Sequence, residues 1–264
     1  MFMLDGYVLS HEGKVRENNE DNFILFGRNK KDINENRVSL SKNAIAGKKL
    51  AGVFDGMGGE ASGEIASIIA SECFSACGLE NAGASIRPQF FEANRKICSL
   101  MAERGCNMGT TAALMYFDGN AGICANIGDS RAYLYRHGAL TQLSVDHSEG
   151  QMLIDSGMAT VDEVKKSTSW HRLVRFLGIP ENEYVAEPFI GAPIDVQEND
   201  LFILCTDGLT DMISDNELTD LLSMYASDNE LSDLAGRLLG RAVENGGEDN
   251  ITIMLIQVGL KLPV

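Results

Sequence analysis

Proline is scarce, at 5 in 264 residues, and no Ser/Pro-rich or single-sign stretch divides the chain. Nothing resembles a linker, so one domain spanning 1–264 is expected. The six cysteines, Cys73, Cys77, Cys98, Cys106, Cys124 and Cys205, include no Cys-x-x-Cys pair. Several lie in apolar contexts, as core thiols do, and a long cytosolic chain needs no disulfide. No apolar run approaches the length that crosses a bilayer. The start, Met1-Phe2-Met3-Leu4-Asp5, has no basic region and meets a charge at once, unlike a secretory signal. Together these absences lead us to expect a cytoplasmic protein. Positive charge is short as well: 22 Lys and Arg stand against 38 Asp and Glu, a formal net charge of −16. That excludes sequence-independent nucleic-acid binding, which depends on cations neutralising phosphates. Most of the acidity reads as a solvated, self-repelling surface. Hydrophobic residues, at 44%, suffice for a packed core, and intrinsic disorder is excluded.

What is present is concentrated in four short acidic segments: Arg16 through Asp21, Asp55-Gly56-Met57-Gly58-Gly59, Asp207-Gly208-Leu209-Thr210-Asp211 and Glu248-Asp249-Asn250. Each places an Asp beside the end of an apolar run. Carboxylates gathered in one place repel, and one must protonate unless a cation sits among them. A fold that unites these segments therefore asks for a divalent ion. Oxygen-only ligands favour Mg²⁺ or Mn²⁺ over zinc.

Strands are expected at Tyr7-Val8-Leu9, at Phe23 to Phe26 and at Leu50 to Phe54, with a polar loop or exposed hairpin over Arg28 to Lys49. Ile65, Ile68, Ile69, Cys73 and Ala76 recur at helical spacing and predict one buried face. A second helix is read from about Pro88 to Glu103. Strands return at Thr111 to Phe117, Ala121 to Ile127, Ala132 to Tyr135 and Leu140 to Leu143, with hairpin turns at Asp118-Gly119-Asn120 and His137-Gly138. Residues 147 to 182 read as helical and then irregular, followed by strands near Tyr184 to Ile190 and at Leu201 to Cys205. Capping boxes at Ser214-x-x-Glu217 and Ser227-x-x-Glu230 precede apolar-periodic runs, and Ile251 to Val258 closes as a buried strand. Strands and helices come in blocks, which favours an α+β fold with antiparallel sheets.

With these segments in order, the chain resembles the metal-dependent serine/threonine protein phosphatases (the PPM, or type 2C, family). The resemblance rests on Gly13 to Asn22, Val53 to Gly59, Gly109-Thr110-Thr111, Asn126 to Tyr133, Leu143 to His147, Asp200 to Asp211 and Gly247 to Asn250. It implies a four-layer α-β-β-α sandwich of two antiparallel sheets flanked by helices. It also implies hydrolysis of phosphoserine and phosphothreonine on proteins by a water bridging two Mn²⁺ or Mg²⁺ ions, without a covalent phosphoenzyme. The partners so implied are phosphoproteins, the substrates of a serine/threonine kinase. Neither nucleic acid nor membrane is implied, and a monomer is expected.

By the same resemblance, Asp55 bridges two metals, Gly56 offers its carbonyl, and Asp207 and Asp249 bind one of the two. Asp129 pairs with Asp207 at a weaker third metal, to which Asp211 contributes. Arg16 takes the substrate phosphate, for a guanidinium matches two phosphoryl oxygens. Glu20 and Asp21 orient metal-bound waters from behind, beside Asn250. Read without the motif, Asp-Gly is an ordinary turn, with Gly56 letting the backbone bend sharply, and Arg16 is a surface salt bridge. Thr110 and Thr111 are given no catalytic role. His147 reads as a structural histidine, and His11, His137 and His171 lack evident partners.

Two departures stand out. Met57 occupies a position where some relatives carry His, and Ser169 to Gly178 lacks the His-Pro and Arg-Asn usual before the family's Arg-x-Leu-Gly ending. The second places substrate choice in the flap, about 150–180. A catalytically dead relative and a calcium-binding protein are the alternative classes. Retention of Arg16, Asp55, Asp207 and Asp249 argues against the first, and the absence of an EF-hand loop against the second.

Overall fold

The computed structural model describes residues 2–31, 35–45, 47–58, 62–76, 82–165, 167–180, 185–225 and 230–260. Two large antiparallel sheets form its centre. The first contains β1 (Phe2–His11), β4 (Arg37–Ile45), β10 (Arg131–Arg136), β11 (Ala139–Gln142), β14 (Leu201–Cys205) and β15 (Ile251–Leu260), in the order β11-β10-β14-β15-β1-β4. The second contains β2 (Asn22–Leu25), β3 (Arg28–Asn29), β5 (Lys49–Phe54), β8 (Ala112–Asp118), β9 (Ala121–Ile127) and β12 (Phe189–Ile190), in the order β12-β9-β8-β5-β2-β3. A short β13 (Ile194–Asp195) also pairs with β9, and β6 (Gly56–Gly58) pairs with β7 (Met108–Thr110).

Three apolar layers account for the stacking. Leu4, Val8, Phe23, Val53, Met115, Met254 and Ile256 fill the space between the sheets. There Phe117 and Phe202 meet edge to face at 5.2 Å, a geometry that adds to the area they bury. The outer face of the second sheet packs on α1 (Gly63–Ser75) and α2 (Ala82–Arg104), and that of the first on α6 (Asp215–Ser223) and α7 (Leu231–Glu244). The result is the expected α-β-β-α sandwich. Alternation along β1, with every second residue buried, is the mark of a strand facing one core.

Several boundaries differ from the expectations. Residues 37–45 form a nine-residue edge strand on β1 rather than a loop or hairpin, and its inward positions include Val38, Leu40 and Ala44. The polar residues that masked it are the outward Ser39, Ser41 and Asn43 and the inward Lys42, whose Nζ donates to Phe26 O. Helix α1 buries Ala66, Ala70, Cys73 and Phe74, whereas Ile65, Ile68 and Ile69 are half-buried and Ala76 is exposed. Small side chains let this helix lie close to β2 and β6, turning the isoleucine stripe sideways. Helix α2 begins before Pro88, at Ala82. The strand near 184–190 shrinks to Phe189–Ile190, for Pro188 has no N–H to donate; residue 184 lies outside the described residues.

Of the capping boxes, Ser214 accepts from Glu217 N, while the Glu217 side chain pairs with Arg241. Helix α7 starts at Leu231, so Glu230 is its N-cap instead of its third residue; Ser227 lies outside the described residues. The remaining helices are short: α3 (Glu149–Asp155), α4 (Val161–Val164) and α5 (Asp207–Thr210), whose Leu209 packs in the layer of α6 and α7.

Candidate functional site

Sheet register brings the acidic segments to one edge of the sandwich. In the second sheet, β5 ends at Phe54 opposite Asn22, and β9 ends at Ile127 opposite Ala112. In the first, β14 ends at Cys205 opposite Ile253, and His11 lies opposite Ile251. Asp55, Asp129, Asp207, Asp249 and the loop carrying Arg16 to Asp21 therefore leave neighbouring strand ends at the same edge. An open pocket of about 1210 Å³ lies there, lined by Arg16, Glu20, Asp55, Gly56, Asp129, Asp207, Asp211 and Asp249 among others.

Local hydrogen bonds hold these groups in place. Asp55 N donates to Thr111 Oγ1 at 3.0 Å, Thr111 N donates to Asp55 O at 2.9 Å, and Thr111 Oγ1 lies 2.6 Å from Ser130 Oγ. Thr111 thus holds the backbone of Asp55, a role that strand propensity did not reveal. Gly56 is required by close approach rather than by a sharp turn, because it continues directly into β6. A Cβ there would strike the carbonyls of Glu20 and Gly63.

Behind the pocket, Asp21 is fully buried and outside the lining. Its Oδ2 accepts from Thr206 Oγ1 at 2.9 Å and Thr252 Oγ1 at 2.6 Å. With the Thr252 proton so committed, Ser10 donates to Thr252 and accepts from Asn19 Nδ2. Asn250 is also buried and ties loops together: its Oδ1 accepts from Glu20 N, and its Nδ2 donates to the carbonyls of Glu12 and Asn18. Lys30, only 1% exposed, donates to Asn19 O at 2.7 Å. None of Thr206, Thr252, Ser10 or Lys30 carried a local sequence signal for this role.

Electrostatics make the pocket costly as it stands. Burial, and then the charges of Asp207, Asp21 and Asp249, hold the Asp55 carboxyl well above the usual carboxylate range. Asp129 is raised by burial and by Asp207, Asp146 and Asp211. Asp207 rises to about 6 through burial and the charges of Asp211 and Asp249. Glu20 rises to about 7 through burial and the adjacent Glu64, and Asp21 to about 7 through burial, against the pull of its two threonine bonds.

Among the described residues, Asp207 Oδ1 and Asp21 Oδ1 are buried without a hydrogen-bond partner. Orphaned oxygens and mutually raised carboxyls fit a site shaped for cations. Apart from His171 beside Asp211, the side-chain donors facing one another there are oxygen, which fits hard divalent ions.

Arg16 is half-exposed at the rim and donates to Asp249 Oδ2 at 2.7 Å. Over the other side lies the flap. Its far end is tied down by Asn94 of α2, whose Oδ1 accepts from Gly178 N and Ile179 N and whose Nδ2 donates to Ile179 O. His147 is buried under the flap's start. Its Nδ1 accepts from Gly128 N, and burial lowers its pKa to about 4, in keeping with a structural role. His11 and His171 do have partners: His11 Nδ1 accepts from Gly13 N at 2.9 Å, and His171 Nδ1 lies 3.3 Å from Asp211 Oδ2.

Comparison with known proteins agrees with this geometry. The family model described as Protein phosphatase 2C matches residues 6–150 and 162–251, so the break in the match falls inside the flap. Serine/threonine phosphatase stp of Listeria welshimeri is 31% identical over 259 residues, covering 94% of this chain and 93% of that protein. Serine/threonine protein phosphatase PstP of Mycobacterium tuberculosis is 30% identical over 255 residues; the match covers 94% of this chain but 44% of the longer protein. The crystal structure of the PstP catalytic domain in complex with two manganese ions superposes with a TM-score of 0.79 at 28% identity, over 98% of this chain and all of that one. With the family model spanning most of its length and its acidic strand ends meeting in one pocket, the chain belongs to the protein phosphatase 2C family of serine/threonine phosphatases.

Proposed function

We propose that this pocket hydrolyses phosphoserine and phosphothreonine on proteins with two divalent ions, Mn²⁺ or Mg²⁺, by direct attack of water and without a covalent phosphoenzyme. The observation that carries the reading is the crowding of Asp55, Asp207 and Asp249 around an open pocket with Arg16 at its rim. The two manganese ions in the related PstP structure support the same reading.

Asp55, Gly56, Asp207 and Asp249 would hold the two ions. Asp129 and Asp211 would serve a weaker third; Glu20 would support them from within the pocket, and Asp21 and Asn250 from behind. When bound, the ions would end the repulsion among the carboxylates, supply an activated water and neutralise phosphoryl oxygens.

The remaining work falls to the chain itself. Arg16 can leave Asp249 and present its paired donors to the phosphoryl group, stabilising charge as the bond to the leaving oxygen lengthens. Thr111 keeps Asp55 fixed, so little reorganisation accompanies the reaction. No thiol takes part: among the described residues no cysteine lines the pocket, and burial pushes Cys124 and Cys205 up to about 12. Met57 lines the pocket but has no proton to give, so the leaving oxygen takes its proton from water or departs with more charge.

The substrates on this reading are phosphoproteins made by a serine/threonine kinase, and the chain works as one cytoplasmic, monomeric catalytic domain. The test is turnover of a phosphothreonine peptide and of 4-nitrophenyl phosphate after chelation and after return of Mn²⁺. Loss and recovery on both substrates supports the reading; full turnover in chelator overturns it.

A further inference from the structure

Asp211 is contacted from two sides of the pocket. On its own side it follows α5, and its N–H donates to Asp207 O at 2.8 Å, so the two aspartates stand one helical turn apart. Residues four apart on such a turn present their side chains to the same face. From the flap, Trp170 Nε1 donates to Asp211 Oδ1 at 2.9 Å, while His171 Nδ1 lies 3.3 Å from Asp211 Oδ2. One His171 nitrogen and one carboxylate oxygen each from Asp207 and Asp211 lie within 4.8 Å of one another. Asp129 stands outside this group.

Three features distinguish the cluster from an ordinary ion pair. Asp207 Oδ1 is buried without a partner, so one oxygen beside it is unsatisfied. The two oxygens of Asp211 are divided: Trp170 holds one and leaves the other aimed at the imidazole. The indole is itself held, with Lys165 Nζ 5.3 Å from its ring centre. A hydrogen bond that fixes a carboxylate from behind while its free oxygen faces a second donor is the usual arrangement around a metal ligand.

We propose that His171 is a nitrogen ligand supplied by the flap, which closes with Asp207 and Asp211 around a divalent first-row transition ion. The inference rests on the reading that this pocket takes divalent ions, and it names a donor of another kind. An imidazole nitrogen beside two carboxylates favours Mn²⁺ or Zn²⁺, whereas Mg²⁺ prefers an all-oxygen shell. The ion would fasten the flap across the pocket, with Trp170 keeping Asp211 in register.

The deciding experiment uses the whole chain, stripped with chelator and titrated with Mn²⁺. Bound ions are counted by electron paramagnetic resonance, and coupling to ¹⁴N is read by its pulsed form. The wild type is expected to show imidazole coupling on an ion that fills after the tighter ones. Both H171Q and D211N should lose that coupling, with the late ion weakened at least ~10-fold, the scale on which metal sites respond to losing even an orienting partner. His171 is exposed, so H171Q is compatible with folding. Zn²⁺ should displace Mn²⁺ from the late site in the wild type more readily than Mg²⁺ does.

Tight Mn²⁺ binding without nitrogen coupling overturns the His171 assignment alone. Coupling that survives in H171Q overturns it too, since the signal then belongs to one of the other histidines. Absence of any Mn²⁺ binding overturns the two-ion reading along with it.

Discussion

Arg16 and Asp249, 233 positions apart in the chain, are joined by a 2.7 Å hydrogen bond between a guanidinium nitrogen and a carboxylate oxygen. The same carboxylate is a proposed metal ligand, and the arginine is its counter-charge in this structure. Replacing Arg16 with Ala should raise the KM for 4-nitrophenyl phosphate by ~10- to 100-fold, the worth of one or two charge-assisted bonds. Mn²⁺ affinity should hold or rise, because a competing cation is gone. Steady-state kinetics beside a metal titration checks both; an unchanged KM removes Arg16 from phosphate recognition.

Asp55→Asn and Asp207→Asn should each lower turnover by at least ~10³-fold, since several kcal/mol of Lewis-acid stabilisation depend on holding the ions. The same variants should melt higher than the wild type in chelator, for each removes a repelling charge. A variant that loses activity and also melts lower would point to a structural role.

The raised carboxyls set a pH dependence for the metal-free protein. A carboxyl whose folded pKa lies above its unfolded one keeps its proton longer when folded. Its stabilising contribution is complete below the unfolded pKa and is lost as pH rises through the folded one. For Asp207, Glu20 and Asp21 that window runs from about 4 to about 7. Metal-free protein should therefore melt higher near pH 5.5 than near pH 8, and Mn²⁺ should shrink or reverse the difference. Calorimetry at the two pH values decides it.

Burial keeps His147 neutral at ordinary pH, with its Nδ1 accepting from Gly128 N. His147→Gln should cost about 1–3 kcal/mol of stability and affect a phosphoserine peptide and 4-nitrophenyl phosphate equally. A selective loss on the peptide, with an altered alkaline limb in its pH profile, would make His147 the proton donor. Met57→His is expected to favour the peptide, whose alkoxide leaving group needs a proton more.

Asn94→Ala releases the flap's end, stranding two buried N–H groups at Gly178 and Ile179. A loss of about 1–3 kcal/mol should follow, with peptide turnover falling more than turnover of the small aryl phosphate. Thermal melts and paired kinetics check this.

Where one face or both faces of a strand were apolar, the sequence was readable. Ala121–Ile127 and Leu201–Cys205 are strands over the expected residues, and α7 buries the expected Leu234, Ala235, Leu238 and Ala242. The edge strand at 37–45 was obscured because its inward residues are only half-buried and are diluted by Lys and Asn. In α1 the strongest apolar stripe was not the buried one, since helix closeness selected alanines over isoleucines.

The chemistry of the pocket was determined locally: an Asp after an apolar run, a Gly where two backbones meet, an Arg in an acidic loop. These are properties of residue type and spacing, and they survive any arrangement of the rest. Only tertiary structure decided that Glu20 faces the pocket while Asp21 is sealed behind it under Thr206 and Thr252. It likewise decided that Arg16 meets Asp249, and that Trp170 and His171 reach Asp211. Those pairings depend on sheet register and on where an irregular flap comes to rest, and no periodicity along the chain encodes either.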